Sequence, residues 1–255
     1  STNTTPFACF TLDDGYRDNA TFAAPVFRKY GAPFTIFLTK GFIDGTHSMW
    51  WETAEALLNE QGALAFDFGR GGEDLPAATQ VEKLAAFNRL SAFINSTDEA
   101  AAVAQLDDIA RRCGIDPLGI TRTLTMRDEE LQALLADPLV SLGAHTTSHR
   151  GLARLSTHDA ELEIAGSVER VARITGVAPE SFAYPYGDDR SVSDRERAIL
   201  KRLGVDIGVT TRPGTLNTGH AADMTALPRI SLNGHYQKAR YVSALASGIP
   251  FMVTG

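Results

Sequence analysis

The stretch Phe7-Ala8-Cys9-Phe10-Thr11-Leu12-Asp13-Asp14-Gly15 decides how this chain is read. A mainly apolar run suits a strand, and two carboxylates followed by glycine stand where that strand must turn. An open α/β sheet or a barrel keeps its chemistry at the C-terminal ends of its strands, so Asp13 and Asp14 lie where a site would be. Asp-Gly is also a common turn pair, but two adjacent like charges are an expensive way to make a turn. A second segment repeats the pattern: Leu139-Val140-Ser141-Leu142-Gly143-Ala144 runs into His145-Thr146-Thr147-Ser148-His149. The two strand ends together offer two aspartates and two histidines.

Outward from the first strand, Phe22, Val26 and Phe27 have helical spacing within Ala20–Tyr30, and Gly31 is a good stop. Pro33–Thr39 reads as a second strand, which completes a βαβ unit and implies a parallel sheet. From Trp50 to Asp137 the pattern becomes helical, at 51–59, 81–93, 99–112 and 127–136, with Gly69–Pro76 as an exposed loop. Alternation resumes with a strand at 139–144, a helix at 160–175 beginning near Ser156 or Thr157, and a short strand at 181–184. A helix at 195–203 stopped by Gly204, strands at 205–210 and 227–232, and a helix at 237–246 close the chain. The expected architecture is α/β: one domain over residues 1–255, a distorted (β/α) barrel with a helical insertion at about 50–137.

A chain of 255 residues buries a large core, and 44% hydrophobic residues suit a globular protein. No apolar run reaches the roughly 18 residues of a membrane span. The net charge of −7 argues against nucleic acid or an anionic membrane as partner, since both need clustered Lys and Arg. Cys9 reads as a buried strand position and Cys113 as a helix end, so both are expected as core thiols without a disulfide. The lack of a signal and of a disulfide pattern inclines the reading to the cytoplasm, while Ser1 in place of Met leaves export open. The oligomeric state is not legible.

A divalent cation with an open position commonly takes three protein ligands from imidazole nitrogen and carboxylate oxygen. His145, His149 and one of the two aspartates fill that count, and a hydrolase needs the other carboxylate as a base. A third strand end, Phe182-Ala183-Tyr184-Pro185-Tyr186-Gly187-Asp188, brackets a tyrosine with proline and glycine and could aim a backbone N–H at an oxyanion. Thr210-Thr211-Arg212-Pro213-Gly214 and Leu227-Pro228-Arg229-Ile230 lie at two further strands. Trp50 and Trp51 are expected at a helix start with at least one ring in the core. His47 and His158 are expected to face solvent.

These residues resemble the polysaccharide deacetylases of carbohydrate esterase family 4, which share the nodulation-type deacetylase domain. Thr11-Leu12-Asp13-Asp14-Gly15 is similar to the family's Thr-Phe-Asp-Asp-Gly, with Leu for Phe, and His145-Thr146-Thr147-Ser148-His149 to its His-[Ser/Thr]-x-x-His. The resemblance runs from Phe7 to about Gly234, interrupted by the helical excursion. It implies a metal-dependent hydrolase that removes acetyl groups from N-acetylated sugars of an oligo- or polysaccharide. Asp14, His145 and His149 would bind the metal, usually zinc, with cobalt or nickel also suited to such ligands. Asp13 would be the general base and the amide of Tyr186 the oxyanion donor.

Two departures accompany the resemblance. Where the family's third motif commonly begins with arginine, this chain has Ala183, and Arg229 is the candidate to orient the base. The family's late Leu-x-His is absent; of His220 and His235, His220 is favoured as general acid. Related enzymes hydrolyse cyclic imides, ureides or O-acetyl esters, and a catalytically silent carbohydrate-binding protein is a second class that fits these departures. Any barrel strand that relatives carry upstream of Asp13 would be missing from this chain.

Overall fold

The computed structural model describes residues 7–232 and 237–252. In chain order the strands are β1 (Phe10–Leu12), β2 (Phe34–Leu38), β3 (Ala63–Asp67), β4 (Gly72–Pro76), β5 (Val140–Ala144), β6 (Ser181–Ala183), β7 (Ile207–Pro213) and β8 (Leu227–Arg229). The helices are α1 (Ala24–Tyr30), α2 (Lys40–Ile43), α3 (Trp50–Glu60), α4 (Gln80–Ile94), α5 (Glu99–Arg112), α6 (Pro117–Leu124), α7 (Asp128–Leu134), α8 (Thr157–Thr175), α9 (Asp194–Arg202), α10 (Ala239–Ala246) and α11 (Ile249–Met252). The chain divides into two compact units. One takes in the residues up to Gly15, Asn19–Lys40 and everything from Asp128 on; the other comprises Tyr16–Asp18 and Gly41–Arg127.

In the first unit, β1, β2, β5, β6, β7 and β8 pair in that order, all parallel, and curl into a half-barrel. The aromatic and β-branched side chains of Phe34-Thr35-Ile36-Phe37-Leu38 suit a central strand, and four of the five are buried. Phe37 pairs with Gly143 on β5. A Cβ added at Gly143 would stand 2.4 Å from Phe37 Cδ1, so only glycine lets that ring cover the neighbouring strand. Helix α8 starts on Ser156, whose side chain accepts from the Asp159 amide, and stops at Gly176 in the left-handed region, φ 79°.

The second unit has its own core, with Trp50, Leu57, Leu64, Phe66, Leu90 and Leu106 among its buried residues. Trp51 packs beside it, its Nε1–H donating to Tyr16 Oη at 2.7 Å while Tyr16 O–H donates to Glu52 Oε1 at 2.8 Å. Both tryptophans are therefore packing residues. α7 groups with the sheet unit, although the expected helical insertion reached residue 137.

Several expectations are corrected. Gly69–Pro76 is not simply a loop: β3 and β4 form an antiparallel hairpin, Ala63 opposite Pro76 and Asp67 opposite Gly72. Leu64 and Phe66 point inward and Ala63, Ala65 and Asp67 outward, the period of a strand. Cys9 and Cys113 are exposed rather than core thiols. β1 is an edge strand shorter than its apolar run, and Cys113 sits at the open end of α5. Phe22 and Val26 face outward, and Phe27 carries the contact to Phe10 and Phe34, with ring centroids 5.1 and 4.5 Å apart.

Candidate active site

Asp13 and Asp14 follow β1, Thr39 follows β2, His145 follows β5, and Tyr186 lies just beyond β6. Because the strands are parallel, these residues leave the sheet at the same end. Asp14, His145 and His149 each bring one ligand atom to within 4.8 Å of the others. The Nε2 atoms of both histidines lie 3.6 Å from Asp14 Oδ1. His145 Nδ1–H donates to the Ala183 carbonyl at 2.6 Å, which leaves Nε2 as the lone-pair atom facing Asp14.

Burial sets the charges. It lowers the pKa of His145 and takes His149 down to about 4, so both rings are neutral and the 3.6 Å contacts are not ion pairs. Burial pushes Asp14 up to about 6, opposed by His145 and reinforced by the charge of Asp13. A carboxylate facing two neutral imidazoles in a desolvated pocket is a donor set that suits a divalent metal.

Asp13 lies in a different field. Burial raises its pKa, but His145 and Arg229 more than offset this, and the net shift is downward. Arg229 NH1 and NH2 donate to Asp13 Oδ1 and Oδ2, both at 2.8 Å, a bidentate pair. Arg229 is itself fixed by Nε–H donating to the Thr210 carbonyl at 2.9 Å and by NH1 donating to Thr11 Oγ1 at 3.2 Å. Arg229 thus reaches Asp13 from β8. Ala183, where the resemblance expects arginine, serves His145 through its carbonyl instead.

Among the described residues, the non-glycine positions with positive φ are Asp14 (71°), Thr146 (64°), His149 (60°) and Tyr186 (61°). All four belong to this site or its loops. A left-handed conformation is costly for such side chains, and such residues cluster where geometry serves function. The ring of Tyr186 stands edge-on to His149, centroids 5.1 Å apart. Gly187 follows at φ 61°, and a Cβ there would lie 2.5 Å from the Thr211 backbone nitrogen. The Nδ1 of His220 accepts from the Asn217 amide at 3.0 Å in a short turn, Thr218–Ala222. His235 lies outside the described residues.

Two residues were missed by the sequence reading. Thr39 is fully buried, and its hydroxyl lies 3.2 Å from both Asp14 Oδ1 and the His145 carbonyl. Its place at the end of a strand was the available signal. Glu163, buried on α8, accepts from the amides of Thr147 and Ser148 at 2.9 and 2.8 Å. Nothing in the helical pattern around Glu163 distinguishes it from a solvated acid.

The polysaccharide deacetylase family model matches residues 91–208, which hold His145, His149 and Tyr186 but not Asp13 or Asp14. No curated protein sequence matches the chain. Among solved structures, a Streptococcus pyogenes deacetylase, PplD, in complex with acetate is similar over 92% of this chain and 68% of its own, with 15% identity and TM-score 0.56. A de-N-acetylase from Aggregatibacter actinomycetemcomitans is similar over 95% of this chain and 77% of its own, with 11% identity and TM-score 0.56. A polysaccharide deacetylase from Bacillus cereus is similar over 92% of this chain and 50% of its own, with 16% identity and TM-score 0.52. At these identities the structures speak for the fold, and no helix among the described residues is long and apolar enough to cross a membrane. The family model that matches residues 91–208 is that of the polysaccharide deacetylases, the family whose motifs the Asp-Asp and His-x-x-x-His segments resemble, and the solved structures agree with this chain in fold.

Proposed function

We propose that this chain is a metal-dependent hydrolase that removes acetyl groups from N-acetylated sugars of an oligo- or polysaccharide. The observation that carries the reading is the convergence of Asp14, His145 and His149 within 4.8 Å, beside an aspartate gripped by Arg229. The family match and the fold support deacetylation of a polysaccharide. Asp14 Oδ1 and the Nε2 atoms of the two histidines would hold the cation, with zinc the best match to two imidazoles and a carboxylate. Bound there, it would supply Lewis-acid polarisation of the acyl oxygen and acidify water at neutral pH.

The remaining roles fall to the chain itself. Asp13 takes the proton of the attacking water on a carboxylate oxygen, and Arg229 keeps that carboxylate ionised and oriented. The backbone N–H of Tyr186, set by its left-handed φ, donates to the oxyanion as it forms. As the C–N bond breaks, the amine needs a proton. Asp13, having just accepted one, is placed to return it; His220 is the second candidate, at the expense of its bond from Asn217.

Acetate release by the zinc-loaded protein from chitooligosaccharide, peptidoglycan and acetylated exopolysaccharide tests this reading. Turnover on one of them is expected. Hydrolysis confined to cyclic imides, ureides or O-acetyl esters would overturn the substrate class, and a protein inert on all of them would overturn the enzyme.

A further inference from the structure

Resting on the metal site just proposed, we infer that Glu163 is a positioning residue: it braces the loop between the two histidine ligands in its metal-receiving shape. The loop has a mechanical difficulty, since Thr146 and His149 both sit at positive φ, 64° and 60°. Hydrogen bonding within the loop supplies part of the answer, the His149 amide donating to Thr146 Oγ1 at 3.0 Å. The rest comes from α8. Glu163 Oε2 accepts from the consecutive amides of Thr147 and Ser148 at 2.9 and 2.8 Å. Oε1 accepts from Ser148 Oγ–H at 2.5 Å and from Arg150 NH2 at 3.0 Å. Arg150 Nε–H also donates to Ser148 Oγ at 2.9 Å, so loop, carboxylate and guanidinium form one closed network.

Glu163 is only 5% exposed. A carboxylate at that depth needs its partners, and Glu163 takes its hydrogen bonds from Thr147, Ser148 and Arg150, all in one short segment. The contact also shapes the helix. Gly166 stands in the middle of α8, where glycine weakens a helix, and a Cβ there would come within 2.7 Å of Thr147 Oγ1. The Thr147 hydroxyl in turn donates to the Glu163 carbonyl at 3.3 Å. Helix α8 is thus built to receive the loop that spaces His145 from His149, and Glu163 acts on the cation through those ligands without touching it.

The test is zinc affinity, measured by competition with a chromophoric chelator, for wild type, Glu163→Gln, Glu163→Ala and Ile164→Val. Loss of an outer partner of metal ligands typically weakens binding by about 10–100-fold, and that loss is expected for Glu163→Ala. Glu163→Gln keeps one carbonyl acceptor for the two amides but loses the acceptor for Ser148 and Arg150, and is expected to fall between Ala and wild type. Ile164, fully buried on the same helix, controls for general loosening: Ile164→Val should lower the melting temperature and leave the affinity alone. Faster amide exchange at Thr147 and Ser148 should accompany the weaker binding. Wild-type affinity in Glu163→Ala, or an equal loss in Ile164→Val, would overturn the inference. A wild-type protein that binds no zinc would overturn the site reading beneath it.

Discussion

Each of the two adjacent aspartates takes its proton affinity from its surroundings, and the two are driven apart. Burial dominates at Asp14, while at Asp13 the influence of the His145 ring and the Arg229 guanidinium outweighs burial. Replacing Arg229 with Gln removes part of that offset, so the Asp13 pKa rises. The acidic limb of kcat/KM should then move to higher pH, along with a fall in kcat; an unmoved limb would separate Arg229 from the base. Metal binding has its own pH dependence. With Asp14 at about 6 in the metal-free protein, a cation must displace a proton below that value. Zinc affinity measured against pH should therefore be level above it and fall by about tenfold per unit below it. A level affinity down to the ordinary carboxylate range would place the metal elsewhere.

At the scale of the element, the strands and helices that deliver the site were legible because their signals are local. Apolar runs ending in Asp13-Asp14 and in His145, and stop glycines at Gly31 and Gly204, mark boundaries without reference to the rest of the chain. The hairpin β3–β4 was missed because Ala63 and Ala65 read as helix formers; the alternation with Leu64 and Phe66 was present but short. α6 was missed although Asp116-Pro117 is a serviceable helix start. Thr39, Glu163 and the left-handed residues were not legible, since their roles exist only once distant segments meet. The same holds for Gly143, whose need for glycine comes from Phe37 on the next strand. Gly143→Ala should destabilise the fold by about 1–3 kcal/mol through overpacking, as read by denaturant unfolding. An unchanged midpoint would mean that the ring yields freely.

For the whole molecule, a metal held at the proposed site would be coupled to the fold by mass action. A ligand at about a hundred times its Kd adds roughly 2.7 kcal/mol to the state that binds it. In a chain of 255 residues that should raise the melting temperature by about 5–10 °C, and a chelator should reverse it. No shift on adding zinc would count against a site formed in the folded state. The half-barrel brings Asp14, His145 and His149 to one end of one sheet, and the division of labour proposed for the neighbouring aspartates rests on that placement. Asp13→Asn tests this division most directly: acetate release and zinc content are measured together, with one equivalent of metal loaded. Turnover should fall by about 10²–10⁴-fold with the zinc retained. Undiminished acetate release, or loss of the metal along with the activity, would contradict the assignment of Asp13 as base and Asp14 as ligand.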